Sequence, residues 1–212
     1  FLTCLGLALI QLLLARGLGA KTPRAVAWLG VLAAFYYMHH VAIEAPSLIR
    51  MIILCIVLLA GMKWIVYREW SAKKNRKLSW SRWWMFSALW FGMDPGCFAG
   101  RRKDCEWRSH AVTGASCVLV GGLLWYLCYY LQLRNVVLLF IPMSTVVHFG
   151  SRRLLTAFWR MQGFPVRVLF RNPLKMRGFR DFWGRRWNLA YSEMMARTVK
   201  QPLTPILGEK WS

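Results

Sequence analysis

Long apolar runs alternate with short polar links along this chain. The runs cover about residues 1–15, 25–43, 49–67, 112–133 and 136–149. A helix that crosses a bilayer needs roughly 20 mostly apolar residues. The second, third and fourth runs meet that length, the first begins within apolar sequence, and Pro142 interrupts the short fifth run. The pattern predicts an all-α integral membrane protein built as a polytopic helical bundle.

Basic residues concentrate in alternate links. Lysines and arginines follow the first and third runs and precede the fourth, whereas the links at 44–47 and 131–135 contain one basic residue between them, Arg134. Cytoplasmic loops of membrane proteins carry an excess of Lys and Arg. The basic loops, and everything after residue 150, are therefore predicted to lie on the cytoplasmic side of a multi-pass protein.

One apolar segment is too short to cross. Residues 83–93, WWMFSALWFGM, have basic sequence on both flanks, so a crossing there would break the alternation. A re-entrant or interfacial helix fits better. The predicted organisation is three membrane helices in 1–67, a basic cytoplasmic segment in 68–111, two membrane helices in 112–160 and a basic, aromatic cytoplasmic segment in 161–212.

Composition excludes several classes of protein. The 212 residues are 57% hydrophobic, include 13 Trp, and carry a formal net charge of +21. A soluble nucleic-acid binder would not contain such apolar runs, and no RRM-like, KH-like or zinc pattern is present, so lipids rather than nucleic acids are the expected partners. The six cysteines lack metal-ligand spacing, and no metal site is predicted. A disulfide between Cys97 and Cys105 is disfavoured if their loop is cytoplasmic.

The stretch RDFWGRRWN, residues 180–188, mixes arginines with large aromatic side chains. Two interpretations stay open on composition alone. Aromatic rings and arginines anchor proteins at lipid headgroups. The same chemistry also suits an aromatic-lined site for a phosphate-bearing ligand, because planar guanidinium groups match phosphate geometry.

The order of the residues is more specific than their composition. Asn172–Leu174 (NPL) and Asp181–Asn188 (DFWGRRWN) resemble the signature segment of the wax-synthase-like branch of the membrane-bound O-acyltransferase family. The resemblance is firm over about 165–205 and only architectural elsewhere. It implies transfer of a fatty-acyl group from acyl-CoA, as a co-substrate, to a hydrophobic hydroxyl acceptor, with no permanently bound cofactor.

The resemblance also implies roles for the matched residues. Asn188 is the expected catalytic residue, which would donate a hydrogen bond to the thioester carbonyl or its oxyanion. Arg185 and Arg186 would hold CoA phosphates or position the loop, while Asp181 would pair with an arginine. The expected substrate-binding set is Asp181, Phe182, Trp183, Arg185, Arg186 and Trp187, whose three aromatic rings would line the path of the pantetheine arm or acyl chain.

Related acyltransferases are expected to use a histidine as general base, in an apolar helix after the asparagine block. No histidine follows Asn188 in this sequence, and the closing TPILGEKWS reads as the lead-in to a further membrane helix, so the chain is expected to be a piece of a longer protein. Among the histidines present, His148 is the alternative catalytic candidate, because an ionisable residue in a membrane helix is often functional. Its ordinary role would be a hydrogen bond within the bundle.

Two functions from different classes follow. The first is an integral membrane O-acyltransferase. The second is a non-catalytic, acyltransferase-like membrane subunit that binds lipid, cofactor or protein partners in a larger complex. A further apolar helix with one histidine would favour the enzyme, whereas a natural stop at Ser212 would favour the subunit.

Overall fold

The computed structural model describes residues 2–103 and 106–208, and this part of the chain is helical, without β-strands. Asp104, Cys105 and the closing residues 209–212 lie outside the described residues, and so does the predicted Cys97–Cys105 pairing. The α-helices are α1 (Leu2–Leu18), α2 (Arg24–Val41), α3 (Ser47–Lys74), α4 (Trp80–Ser87), α5 (Trp107–Tyr130), α6 (Val136–Ser144), α7 (Arg152–Met161), α8 (Phe179–Asp181), α9 (Leu189–Met195) and α10 (Gln201–Leu207).

Shorter helical turns connect several of these helices. The 3₁₀ turns span Gly19–Lys21, Pro95–Phe98 and Pro173–Lys175. The π-helical turns span Thr145–Ser151, Phe182–Arg186 and Ala196–Lys200.

Local sequence explains where the helices begin and end. Pro23 and Pro46 precede α2 and α3, which suits proline because it fixes φ and has no N–H to leave unpaired. The Asn135 side chain caps α6 by accepting hydrogen bonds from Val137 N (2.9 Å) and Leu138 N (3.4 Å). Asn75 ends α3 in the left-handed conformation (φ 46°), which asparagine tolerates better than most residues.

The described chain forms two compact units. The first comprises residues 1–99 and 193–212, and the second comprises residues 100–192. In the first unit α1 and α2 pack on α3. Its core brings together Cys4, Met38 and Val57 from these three helices. A Cβ on Gly61 would lie 2.8 Å from the Val31 side chain, so glycine is what lets α2 approach α3.

The short Trp-rich helix differs from its predicted position. The sequence places it at about 83–93, but α4 begins at Trp80 and ends at Ser87. The buried Lys63 ammonium accounts for the early end, because it donates hydrogen bonds to the carbonyls of Phe86 (2.8 Å), Trp90 (2.8 Å) and Gly92 (2.6 Å). Carbonyls that point together at one ammonium cannot all continue a helical ladder, so the chain turns there.

In the second unit α5 lies against α7 and the π-helical turn Thr145–Ser151. The residues of α5 that are buried are Gly114 and Gly121. A Cβ on Gly121 would lie 2.6 Å from Val146 Cγ2 and 3.1 Å from Pro142 O. Small residues at such positions let membrane helices approach closely.

Three segments of the described chain are long and apolar enough to cross a membrane: Leu2–Lys21, Ser47–Lys74 and Trp107–Tyr130. The predicted second run forms α2, which carries Arg24, His39 and His40 and is not one of the three. The predicted fifth run is divided between nine-residue α6 and the π-helical turn, after Pro142 removes one backbone donor. An all-helical chain with three such segments is an α-helical membrane protein.

Candidate functional site

The backbone of residues 169–189, here called the motif loop, closes on itself. Arg171 N donates to Arg186 O (2.8 Å), and Leu189 N donates to Leu169 O (2.9 Å). These two hydrogen bonds bring the beginning and the end of the loop side by side. The intervening residues contain the 3₁₀ turn Pro173–Lys175 and the short α8, so the two matched blocks of the sequence meet at the base of one loop.

The block DFWGRRWN folds as a π-helical turn followed by a sharp change of direction. Trp187 N donates to Phe182 O (2.8 Å), which closes the turn. Asn188 then has φ 44°, in the left-handed region. Its carbonyl accepts a hydrogen bond from Tyr191 N (2.9 Å) at the start of α9. Within the described residues the Asn188 side-chain amide makes no hydrogen bond.

An ion pair between Asp181 and Arg186 holds the loop together. Arg186 Nε donates to Asp181 Oδ2 (2.5 Å), and Arg186 Nη1 donates to Asn172 O (3.2 Å). Asp181 Oδ2 also accepts from Arg177 N (3.1 Å). The Arg186 hydrogen bond is the main cause that lowers the pKa of the Asp181 carboxyl below its ordinary value of 3.8. Arg186 therefore joins the NPL turn to the DFWGRRWN block.

Beside this ion pair lies a pocket of about 480 Å³ that is rich in arginine. Its only carboxylate among the described residues, Asp181, is already paired with Arg186. The lining residues are Arg177, Gly178, Phe179, Arg180, Asp181, Gly184 and Arg185. We call this the arginine pocket. Three guanidinium groups around one neutralised carboxylate leave a surplus of positive charge, which suits a ligand with several phosphate charges.

Aromatic rings from the motif loop pack on the π-helical turn that follows α6. The aromatic cluster consists of His148, Phe149, Phe170, Phe182 and Trp187. Trp187 stacks on Phe182 with ring centroids 5.4 Å apart and an interplanar angle of 15°. It stacks also on His148, at 5.5 Å and 28°. Phe170 meets Trp187 edge-on at 5.2 Å. Trp187 is therefore the centre of the cluster.

His148 lies inside this cluster and has a hydrogen-bond partner. Its Nδ1 is 3.3 Å from Ser144 Oγ, one helical turn earlier. Its ring is also 4.8 Å from that of Phe170, edge-on. These contacts match the ordinary role of a packed, hydrogen-bonded histidine. They also place His148 against Trp187, the residue directly before Asn188.

The structure divides the predicted site residues into separate groups. Asp181 and Arg186 form the structural ion pair, whereas Arg185 lines the arginine pocket. Phe182 and Trp187 belong to the aromatic cluster, while the Trp183 side chain is half exposed. Asn188 follows the cluster in the chain.

Other contributors escaped the sequence prediction. Arg177 and Arg180 line the arginine pocket, and Phe149 and Phe170 pack in the cluster. In RGFRD, residues 177–181, the two arginines are three positions apart and both precede the aspartate within one helical turn. This spacing is the sequence signal for Arg177 and Arg180. No group of His, Cys, Asp or Glu side chains in the described part of the chain is placed to hold a metal ion.

Fold and site together define an α-helical membrane protein with an arginine-rich, aromatic loop. Residues 166–212 of this chain match the family model described as "Membrane bound O-acyl transferase family". The match contains the motif loop from Asn172 through Asn188, and it supports that family for this part of the chain. No curated protein and no solved structure matches the chain.

Proposed function

We propose that this protein is an integral membrane O-acyltransferase of the wax-synthase-like type, which transfers a fatty-acyl group from acyl-CoA to a hydroxyl acceptor. The observation that carries the proposal is the motif loop itself. The loop contributes an arginine pocket, part of an aromatic cluster, and one asparagine whose side-chain amide has no partner within the described residues. The family match over residues 166–212 supports O-acyl transfer as the class of reaction.

The donor is proposed from the charge of the arginine pocket. Arg177, Arg180 and Arg185 surround a volume of about 480 Å³, which is within the usual range of ligand pockets, roughly 300–1,000 Å³. CoA carries several phosphate charges, and guanidinium groups bind phosphate by paired hydrogen bonds. The loop charges favour a position on the cytoplasmic face, where acyl-CoA would arrive.

The acyl chain and acceptor are proposed to meet the aromatic side chains. Trp183 is 50% exposed and Phe179 is 85% exposed, so both present apolar surface at the motif loop. The cluster around Trp187 supplies a rigid apolar wall. A hydrophobic alcohol is therefore a better acceptor than a soluble sugar hydroxyl.

The chemistry assigned to Asn188 is stabilisation of charge. The acceptor hydroxyl oxygen attacks the thioester carbonyl carbon, the new C–O bond forms, and the C–S bond breaks. Negative charge develops on the carbonyl oxygen, and the Asn188 amide N–H would donate to it. The hydroxyl proton passes to a base and finally to the CoA sulfur. A histidine is the expected base, and His148 is the candidate that lies beside the motif loop.

The test is an acyl-CoA and acceptor screen on the purified full-length protein in neutral lipid nanodiscs. Labelled palmitoyl-CoA is offered with a fatty alcohol, a sterol or a terpenoid alcohol, and ester product is measured. Three variants separate the amide from the backbone. Asn188→Ala removes the amide and strains the left-handed residue, Asn188→Gly removes the amide without strain, and Asn188→Asp keeps the shape but loses the donor.

The proposal predicts ester formation by the wild type and a loss of about 10²–10³-fold in all three variants, as for other oxyanion donors. Asn75→Gly is the matched control, since Asn75 is also left-handed (φ 46°) but ends α3. Turnover by Asn188→Gly equal to the wild type would remove Asn188 from the chemistry. Binding of acyl-CoA without turnover of any acceptor would favour the non-catalytic subunit.

A further inference from the structure

A second charged cavity lies in the first compact unit, at the end of α3. Its volume is about 380 Å³, and every residue that lines it belongs to this unit. We call it the α3-end pocket. The lining residues are Glu69, Trp70, Lys73, Lys74, Asp94, Gly96, Arg197 and Gln201.

Both carboxylates of the α3-end pocket are already neutralised. Arg24 donates from Nε to Glu69 Oε1 (2.8 Å) and from Nη2 to Glu69 Oε2 (3.0 Å). Arg68 Nη1 also donates to Glu69 Oε1 (2.5 Å). Asp94 Oδ1 pairs with Arg197 Nη2 (2.7 Å) and accepts from Gly96 N (2.9 Å). Neither carboxylate therefore attracts a further cation from outside.

The two lysines differ from the carboxylates. Within the described residues neither Lys73 nor Lys74 makes an ion pair or a side-chain hydrogen bond, and both are exposed. Cations are favoured in the last turn of a helix, which would explain one lysine without any ligand. The cavity adds more than that, because both lysines line a hollow that has the buried Trp70 in its wall.

We propose that the α3-end pocket binds a phosphate ester through Lys73 and Lys74. The two positive charges of Lys73 and Lys74 balance the two negative charges that a phosphate ester can carry. Lysine is also a common phosphate ligand. The phosphate would come from an anionic phospholipid headgroup or from a free phosphorylated nucleotide. The proposal is independent of acyl transfer, because the property it concerns is binding.

The experiment measures binding to the full-length protein in phosphatidylcholine nanodiscs by isothermal titration calorimetry. One arm titrates dioctanoyl phosphatidic acid, and the other titrates adenosine 3′,5′-bisphosphate. The test variant is the double change Lys73→Gln with Lys74→Gln. The matched control is Arg76→Gln with Lys77→Gln, which removes the same charge from exposed residues just after α3 that do not line the cavity.

The expected result is saturable binding of at least one probe, weakened at least about tenfold by the Lys73/Lys74 change and less than about threefold by the control. The arm that shows it identifies lipid or nucleotide as the source. Equal weakening by both double variants would show a general surface potential and would overturn the proposal, and so would the absence of saturable binding. Binding that is retained when Arg177 and Arg180 of the arginine pocket are changed to Gln would separate this site from the proposed acyl-CoA site.

Discussion

The indole of Trp187 stacks on the imidazole of His148, with ring centroids 5.5 Å apart and planes inclined by 28°. Trp187 ends the FWGRRW turn of the motif loop, and His148 belongs to the π-helical turn after α6. The contact attaches the loop to the helical part of its compact unit. It also brings the one histidine considered for catalysis beside the asparagine block.

His148 is predicted to stabilise the loop mainly through its ring. His148→Phe keeps the aromatic contacts and loses only the Ser144 hydrogen bond, so the free energy of unfolding should fall by less than about 1.5 kcal/mol. His148→Ala also removes the ring contacts with Phe170 and Trp187 and should cost about 2–4 kcal/mol. Unfolding followed by circular dichroism in one detergent would measure both. If the two variants were equally destabilised, the imidazole nitrogens would be what holds the loop.

Arg186→Lys is predicted to loosen the motif loop although the charge is kept. A lysine cannot donate to both Asp181 Oδ2 and Asn172 O as the guanidinium fork does. Limited trypsin digestion with mass spectrometry should show several-fold faster cleavage between residues 175 and 186. Arg180→Lys is the matched control, because Arg180 lines the pocket without an ion pair in the described chain. Equal acceleration by both variants would contradict the role given to Arg186.

The ion pair between Asp181 and Arg186 makes the stability of the motif loop depend on pH. The pKa of Asp181 is lowered in the folded loop, so its stabilising effect is complete above the ordinary carboxyl pKa of 3.8 and is lost as the pH falls through the lower folded value. Hydrogen-exchange protection of the Arg177 N–H, which donates to Asp181, should stay constant from pH 8 to about pH 5 and decrease only in stronger acid. Asp181→Asn should lower this protection above about pH 5 and remove the step. A decrease in this protection near neutral pH would show that a titrating group other than Asp181 stabilises the loop.

Gly121 is predicted to be required by close helix packing. A Cβ there would lie 2.6 Å from Val146 Cγ2 and 3.1 Å from Val146 N, whereas a Cβ on neighbouring Gly122 meets nothing within 4 Å. Gly121→Ala should reduce the free energy of unfolding by about 1–3 kcal/mol, because the helices must separate. Gly122→Ala should be neutral or slightly stabilising through helix propensity. Thermal unfolding of the two variants tests this prediction. A similar loss of stability in both would mean that the flexibility of glycine matters rather than the close contact.

The helices were largely predictable from the sequence, and their ends were less so. Long apolar runs have few other structures available in a membrane, which is why α1, α3 and α5 follow the predicted runs. The run at 49–67 gave no sign that α3 continues to Lys74, because its last turns are charged. Likewise, α4 ends at Ser87 because of a contact with Lys63, and a pattern of apolar residues cannot show such a contact.

The site was predictable as a segment but not as a geometry. The order of residues in DFWGRRWN identified the motif loop. It could not distinguish Arg186, which pairs with Asp181, from Arg185, which faces the pocket, because adjacent arginines are chemically identical. The contact between His148 and Trp187 depends on how distant segments pack, and neither residue carries a local signal for it.

Lys63 is the residue whose loss should affect the first compact unit most. Lys63 belongs to α3, and its side chain is fully buried. Its ammonium donates hydrogen bonds to three carbonyls and lies 3.9 Å from the centroid of the Phe86 ring. Lys63→Met keeps the length of the side chain but leaves the three carbonyls unpaired, which should cost about 3–5 kcal/mol. Lys73→Met on the exposed end of the same helix is the control and should change stability by less than about 0.5 kcal/mol. Thermal unfolding in detergent compares the two, and a stable Lys63→Met protein would show that water can replace the ammonium in this carbonyl cage.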